Sequence, residues 1–533
     1  MTDIVLVFEV HQPFRVGKGF YWENRMFRRL RKDELFDTYF DRKSDGEIFR
    51  RVSRKCYLPA NEIILRTIDE HKHEKRQFKA SFSLSGVFLE QCEAFNKDVL
   101  DSFKQLAETG CVEFLDQTYY HSLSSLYPVR DEFVEQVRMH SAAMHSYLHY
   151  EPRVFENTEL LYNNAIAKVV EDLGFAAIFT EGADRMLGGR SPNHLYSAKD
   201  CKRLKILLRN YKLTDDIGFR FSARWWSEWP LTADKYAKWL STTTGQCINI
   251  FPDYETFGEH HWPETGIHEF LTHLPDEILK RENLSFSTPS EVVEKHSPVD
   301  TIDVPEIGGT VSWADIERST SGWLGNTMQW AYYSKCRAME PLVKESQDSD
   351  LTRIWRCLQE SDHLYYMFTA GGGPGTVHTY FSPYGNPIDA FVTCLAVLMD
   401  FEHRLKEFTY AANEPFIFHL GTEREGKIEA WSLMGFLRSL DKVPAKSLEF
   451  HSSRDDHEKW ARWSLRDEEL ANSFAAVSAS HLKGERLRMA LRRTVRTSLD
   501  RRSPRRVRTR NRSAQSPQRV ISASEMKEAD GRS

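Results

Sequence analysis

The stretch that decides the fold is MTDIVLVFEVHQP, Met1–Pro13. Ile4-Val5-Leu6-Val7-Phe8 is an unbroken apolar run, the pattern of a strand buried on both faces, and His11-Gln12-Pro13 stand at its C-terminal end. The same scheme recurs downstream. Asn61 to Glu70 and Asp98 to Thr109 have helical spacing, and Gly110 stops the second of these helices. Cys111-Val112-Glu113-Phe114-Leu115 reads as a strand that runs into Thr118-Tyr119-Tyr120-His121-Ser122. Asp131 to Tyr147 is helical, and Arg153-Val154-Phe155 is a strand ending in Glu156-Asn157-Thr158-Glu159. Asn164 to Asp172 is helical, and Ala176-Ala177-Ile178-Phe179 is a strand ending in Thr180-Glu181-Gly182. This alternation predicts parallel strands joined by helices. The polar clusters fall just after strands, on the face where α/β barrels carry their active sites.

At 533 residues the chain is long enough for two or three domains. A net charge of −5 gives no sign of a nucleic-acid or membrane partner for the chain as a whole. No apolar run approaches the roughly 18–20 residues that span a bilayer. The N-terminus opens directly on the first strand, without a basic region or a small-residue cleavage site. The 8 cysteines form no CxxC pair and read as buried free thiols, so a reducing, cytoplasmic location is expected. Aromatic residues make up 12%, a mild sign of sugar-binding platforms beyond what a core needs.

The chemistry concentrates in FPDYETFGEHHW, Phe251–Trp262, which follows the apolar entry Ile248-Asn249-Ile250. Acids, histidines and aromatics crowd there at a strand end. A carboxyl among aromatic faces has its pKa raised by desolvation, which suits a general acid. A second carboxylate is then needed, and Glu159 is the candidate. It lies where a strand gives way to a helix, with Asn157 or Thr158 as N-cap and Glu159 in the first helical turn. Each acid also has a plain reading: Glu159 complements a helix dipole, and Asp253 satisfies a turn.

Taken together with three other clusters, these stretches resemble glycoside hydrolase family 57, the group that includes α-amylases and 4-α-glucanotransferases. The ordered set is Val10-His11-Gln12-Pro13-Phe14, Gly110-Cys111-Val112-Glu113 through Ser122, Asn157-Thr158-Glu159-Leu160, Asp253 through His260, and Ser312-Trp313-Ala314-Asp315 through Asn326. Ser361-Asp362-His363-Leu364-Tyr365-Tyr366-Met367 resembles a further family segment, and the likeness covers about residues 1–405. It implies a retaining hydrolase on an incomplete seven-stranded parallel β/α barrel, with Glu159 as nucleophile and Asp253 as general acid/base. The expected sugar binders are His11, Gln12, His121, Glu255, His260, Trp313, Asp315, Trp323, Asp362 and His363. Gln117 departs from the pattern, since many relatives carry an acid before Thr118.

The resulting expectation is an α-1,4-glucan hydrolase of the α-amylase kind, with an α-glucan or maltooligosaccharide as substrate and no cofactor or metal. A 4-α-glucanotransferase or branching enzyme would use the same residues. A metal-dependent carbohydrate hydrolase or deacetylase, with His11, Asp253, His260 and His261 as ligands, is a second class, and a non-catalytic glucan-binding protein is a third. His145 and His149, the one HxxxH pair, sit at a helix end away from the strand-end clusters. The expected organisation is a catalytic barrel over 1–300, a helical subdomain over 301–409, a small α+β module over 410–475 and a basic, disordered tail over 476–533. Gly371-Gly372-Gly373-Pro374-Gly375 reads as a turn or an active-site-side loop. The module resembles a small domain of unknown function appended to such amylases. The run Arg501–Arg512 leaves room for a polyanion such as RNA, although no aromatics interleave for base stacking. Oligomeric state is left open.

Overall fold

A computed structural model of the chain describes residues 1–28, 30–370, 382–419 and 428–502. The chain divides into two compact units, Met1–Ala411 and Ala412–Ser533. In the first unit the strands are β1 (Thr2–Val10), β2 (Ala80–Leu84), β3 (Val112–Leu115), β4 (Val154–Glu156), β5 (Ala177–Glu181), β6 (Tyr196–Ala198), β7 (Lys205–Arg209), β8 (Cys247–Ile250), β9 (Leu284–Phe286) and β10 (Thr301–Ile302).

Parallel pairing runs from β1 to β2, then to β3, and on to β4 through a bridge between Asp116 and Phe155. It continues from β4 to β5, β7 and β8, and β8 pairs back to β1. Following the pairings therefore leads back to the first strand. β6 runs antiparallel to β7, β10 pairs with β6, and β9 pairs with the start of β1.

Ile4 to Phe8 are buried on both faces of β1, as the apolar run predicted. The start of that strand is fixed by Asp3, a fully buried carboxylate held by Lys295 Nζ at 2.8 Å, His296 Nε2 at 2.6 Å and Ser287 Oγ at 2.8 Å. Helices cover the ring by their apolar stripes. Lys97–Glu108 turns Val99, Leu100, Phe103 and Leu106 inward, at the spacing of one helical face. Asn164–Asp172 is capped by Asn163, whose side chain accepts from the Ile166 amide at 2.9 Å.

Beyond residue 301 the first unit is mainly helical, and two of its helical stretches are each broken. Thr327–Ala338 and Glu340–Ser346 meet at Met339, with Pro341 in the first turn of the second. Ser349–Cys357 and Ser361–Tyr365 are separated by an extended Glu360, which bridges to Ser122. The Gly371–Gly375 cluster lies outside the described residues.

In the second unit, β11 (Ala411–Phe418) and β12 (Ile428–Ser432) form a two-stranded sheet, followed by five helices between Leu433 and Arg502. Its core gathers Phe416, Phe418, Phe436, Trp460 and Phe474. The expectation of a disordered tail from 476 is corrected: Glu468–Ala479 and Gly484–Arg502 are helices. Leu487, Leu491, Val495 and Leu499 recur every four residues and bury one stripe, which the arginines between them obscure in the sequence. The rest of the expected tail, from 503, lies outside the described residues. Among the described residues no helix is long and apolar enough to cross a membrane.

Candidate active site

A cavity of about 500 Å³ opens at the C-terminal ends of the parallel strands, within the range of small-ligand sites. Glu9, His11 and Gln12 reach it from the end of β1, His121 from beyond β3, Glu159 from beyond β4 and Arg209 from the end of β7. Asp253, Glu255 and His260 follow β8, and Trp313, Asp315, Trp323, Asp362 and Tyr365 come from the helical segment.

Glu159 is not in the first turn of a helix, which corrects the sequence reading. It sits in a single 3-10 turn, Thr158–Leu160, with φ 61° and ψ 22°, and Leu160 also has a positive φ of 52°. Asn157 makes no capping bond, and the next helix starts at Asn164 because Asn163 caps it. A glutamate in the left-handed region is strained, and such strain needs the surroundings to hold it. Here Ser312 Oγ donates to the Glu159 carbonyl at 2.6 Å, and the Trp313 amide does so at 3.3 Å. The carboxyl is held just as firmly. Trp313 Nε1 donates to Oε2 at 2.6 Å, Ser361 Oγ donates to Oε1 at 2.6 Å, and His121 Nε2 stands 3.6 Å from Oε1. Ser361 reaches it because the helical segment breaks at Glu360, and the Ser361 amide is tied to the His121 carbonyl at 2.9 Å.

Asp253 is half-buried at the end of β8, where its backbone bridges to Glu9. Burial and the facing charge of Glu159 push its pKa up to about 7, against the pull of Arg209 and His121. Arg209 is itself fixed by Glu181 Oε2 at 2.9 Å, Asp215 Oδ1 at 2.8 Å and the Phe251 carbonyl at 2.8 Å. Glu255 is pushed up to about 8 by burial, with Asp253 adding to the rise and the Tyr57 hydroxyl, 2.5 Å from Oε1, opposing it.

His11 and His121 stack with their rings 4.1 Å apart. His11 Nδ1 pairs with Ser85 Oγ at 2.7 Å and Nε2 with Asp362 Oδ2 at 2.9 Å. Burial and the neighbouring His121 push His11 down to about 4. For His121 burial acts in the same downward direction, but Glu159, Glu9 and Asp362 outweigh it and raise the ring to about 9. Asp362 is held below the usual carboxylate range by His11 and His121, although burial opposes its charge. Gln12 accepts from Arg15 Nη2 at 3.0 Å, and Asp315 accepts from the Ser319 amide at 3.4 Å. Burial pushes His260 down to about 3. Trp323 is only 2% exposed and stacks on Tyr365 at 5.8 Å, so it forms part of the cavity wall.

His363 is the expected binder that the fold keeps away from the cavity. It is fully buried, and its Nε2 bonds the Cys357 carbonyl at 3.0 Å. His261, in the ligand set of the metal reading, has both ring nitrogens engaged, by Ser222 Oγ at 2.7 Å and by the Ile217 carbonyl at 3.0 Å. Among the described residues one group can offer ligand atoms to a cation: His11, Glu360 and Asp362, whose atoms lie within 4.8 Å of one another. Among the residues that escaped the sequence reading are Glu9, Arg209 and Tyr365, which line the cavity, and Ser361, which bonds Glu159. Glu9 and Arg209 had a signal, since each is a charge directly after an apolar run, Ile4–Phe8 and Ile206–Leu208.

The family model of Glycosyl hydrolase family 57 matches residues 5–305. A Methanocaldococcus jannaschii protein named "Putative alpha-amylase" is 48% identical over 412 residues, covering 76% of this chain and 85% of its own. Two solved structures share the fold. The GH57-type branching enzyme of Pyrococcus horikoshii has a TM-score of 0.53 at 16% identity, covering 77% of this chain and 90% of its own. The 4-alpha-glucanotransferase of Thermococcus litoralis has a TM-score of 0.52 at 17% identity, covering 78% of this chain and 61% of its own. With two differently held carboxyls on one cavity, an ordered set of strand-end motifs and a family match over more than half its length, the chain belongs to glycosyl hydrolase family 57.

Proposed function

We propose that the chain is a retaining hydrolase of α-1,4-glucans, of the α-amylase kind, with Glu159 as nucleophile and Asp253 as general acid/base. The observation that carries this reading is the contrast between the two carboxyls. Glu159 receives hydrogen bonds from Trp313 and Ser361, which suit an anion. Asp253 is pushed up to about 7, so it has a proton to give near neutrality.

Attack of a Glu159 oxygen on the anomeric carbon forms the glycosyl-enzyme bond, while Asp253 delivers its proton to the departing glycosidic oxygen. In the second step Asp253 takes a proton from water as that water bonds to the anomeric carbon. The bond to Glu159 breaks, and its electron pair returns to the carboxylate. A sugar hydroxyl in place of the water gives transfer, so 4-α-glucanotransferase or branching chemistry runs on the same residues. The name of the Methanocaldococcus jannaschii relative favours the hydrolase.

In this reading His11, Gln12, Glu255, His260, Asp315 and Asp362 bind sugar hydroxyls, and Trp313 and Tyr365 offer ring faces. The seven paired parallel strands are the incomplete β/α barrel, and the helical segment completes the site through Trp313, Ser361 and Asp362.

The test is incubation with maltooligosaccharides, comparing wild type with Glu159→Ala and Asp253→Asn and following the anomer released by NMR. The α-anomer is expected first from wild type, and both variants should be nearly silent. A wild type that neither hydrolyses nor disproportionates any α-glucan would refute the proposal.

A further inference from the structure

Beside the two proposed catalytic carboxyls lies a second acidic pair. Glu9 is 3% exposed and Glu156 is 2% exposed, so both carboxyls are buried. Glu156 Oε2 accepts from Ser83 Oγ at 3.1 Å. Glu9 Oε1 accepts from Gln117 Nε2 at 3.2 Å, while Glu9 Oε2 has no donor among the described residues. Burial pushes both acids up, and the charge of Glu156 adds to the rise of Glu9. The pair faces the imidazole of His121, since Glu9 Oε1 stands 3.5 Å from His121 Nδ1.

Gln117 transmits the polarity of this pair. Its Nε2 also donates to Ser83 Oγ at 2.8 Å, and that hydroxyl in turn donates to Glu156. With the amide nitrogen committed to these two acceptors, its Oε1 faces His121 Nδ1 at 3.0 Å and must accept there. His121 Nδ1 thus carries a hydrogen. At the far side of the ring, Nε2 stands 3.6 Å from Glu159 Oε1. A neutral ring with its hydrogen on Nδ1 would turn a lone pair toward that carboxylate, whereas an imidazolium turns an N–H.

We infer that Glu9, Glu156 and Gln117 keep His121 as an imidazolium against Glu159, a positioning device that favours departure of Glu159 from the glycosyl-enzyme. The inference rests on Glu159 being the nucleophile. When the bond from the anomeric carbon to Glu159 breaks, the electron pair returns to the carboxylate, and the adjacent imidazolium stabilises it without giving up its proton. The same charge restrains Glu159 in the first step, so the device moves barrier height from the second step to the first.

The other charged groups facing His121 agree. Glu9, Glu159 and Asp362 outweigh the burial that would neutralise the ring, Asp253 feels its positive charge, and the stacked His11 is pushed down to about 4. The two stacked imidazoles thus share a single positive charge, carried by the ring next to Glu159.

The test is ¹⁵N NMR of the full chain labelled at histidine rings, with His121 assigned by its loss in His121→Gln. Both ring nitrogens of His121 should be protonated at pH 7.5, with titration above pH 8. In Glu9→Gln the midpoint should fall by about one unit or more, a tenfold change in protonation, and in Gln117→Glu it should rise. With an activated aryl maltooligoside, Glu9→Gln should show a burst of released phenol followed by a steady state about tenfold slower, with a lower KM, as expected when deglycosylation limits. A purely structural role for Glu9 would move none of these readouts in that pattern. An active wild type whose His121 titrates near its ordinary 6.5, or a midpoint unchanged in both variants, would overturn the device alone. A chain inactive on every α-glucan would overturn the departure step together with the proposed function.

Discussion

Replacing Glu159 by Gln should lower the titration midpoint of Asp253, and the size of the fall can be bounded. Asp253 stands at about 7 against an ordinary 3.8, with burial as the largest cause and the charge of Glu159 the next. A unit charge at about 5.5 Å, the separation a retaining pair requires, interacts by about 3 kcal/mol at an effective dielectric constant of about 20. That corresponds to about two pKa units. The substitution removes this charge and leaves the burial. It also deprives His121 of a partner, which weakens one of the two pulls in the opposite direction. The net fall should be about one to two units, leaving Asp253 above its ordinary value. The midpoint is measurable by ¹³C NMR of protein labelled at aspartate carboxyls, with Asp253 assigned by its absence in Asp253→Asn. With Asp253 as the proposed general acid its protonated form is the active one, so kcat/KM should decline as pH rises through about 7. The glycosyl-enzyme also lacks the charge on Glu159, so the same fall would turn Asp253 from acid into base for the second step. An identical midpoint in wild type and Glu159→Gln would refute the reasoning, because the two carboxyls would then not sense each other.

Gly258 lies in the stretch between Asp253 and His260 with φ 138°, and a Cβ there would stand 1.9 Å from the Lys55 carbonyl oxygen. Gly258→Ala should cost a few kcal/mol in chemical denaturation and reduce activity, and a variant of wild-type stability would contradict the geometry. In the second unit His457 is 1% exposed, stacks on Phe416 at 5.2 Å and has no hydrogen-bond partner for either ring nitrogen among the described residues. Burial pushes its pKa down to about 3, so its contribution to stability is fully present above the unfolded value of 6.5 and is lost as pH falls toward about 3. His457→Phe should therefore melt no lower than wild type at pH 7 and higher at pH 5, and a lower midpoint at pH 5 would show that the ring is not held neutral.

The parallel plan was legible because Ile4–Phe8 and Ala177–Phe179 are buried on both sides and so read as continuous apolar runs. β2 was not legible. Ala80-Ser81-Phe82-Ser83-Leu84 alternates, because Ser83 turns toward Gln117 and Glu156 and must be small and polar there. Glu159 was recognisable as a strand-end acid, but its left-handed backbone was not. That conformation depends on Ser312 and Trp313, which lie far along the chain and leave no local trace. The break before Ser361 was hidden for the same reason. Leu358 through Met367 is compatible with one continuous helix, and the extended Glu360 is set by tertiary bonds to Ser122 and to the Phe14 amide.

Burial alone does not assign chemistry to these carboxyls, since it raises the pKa of each one it touches. Glu156 and Glu255 are pushed up to about 8, Asp253 and Glu181 to about 7, with burial the leading cause in all four. Asp362 shares the burial yet moves the other way, because His11 and His121 face it. What separates the acids is the supply of donors and cations, and much of that supply comes from outside the strands. Trp313 Nε1 and Ser361 Oγ, which bond Glu159, lie 154 and 202 residues beyond it in the chain. Without the segment that carries them, the glutamate carboxyl would keep, among the described residues, the His121 ring at 3.6 Å, and its backbone would lose the Ser312 and Trp313 bonds that hold it in the left-handed region. The strands thus bring the acids to one place, while the helical segment, by choosing which acid receives donors, separates the group suited to attack from the group suited to carry the proton.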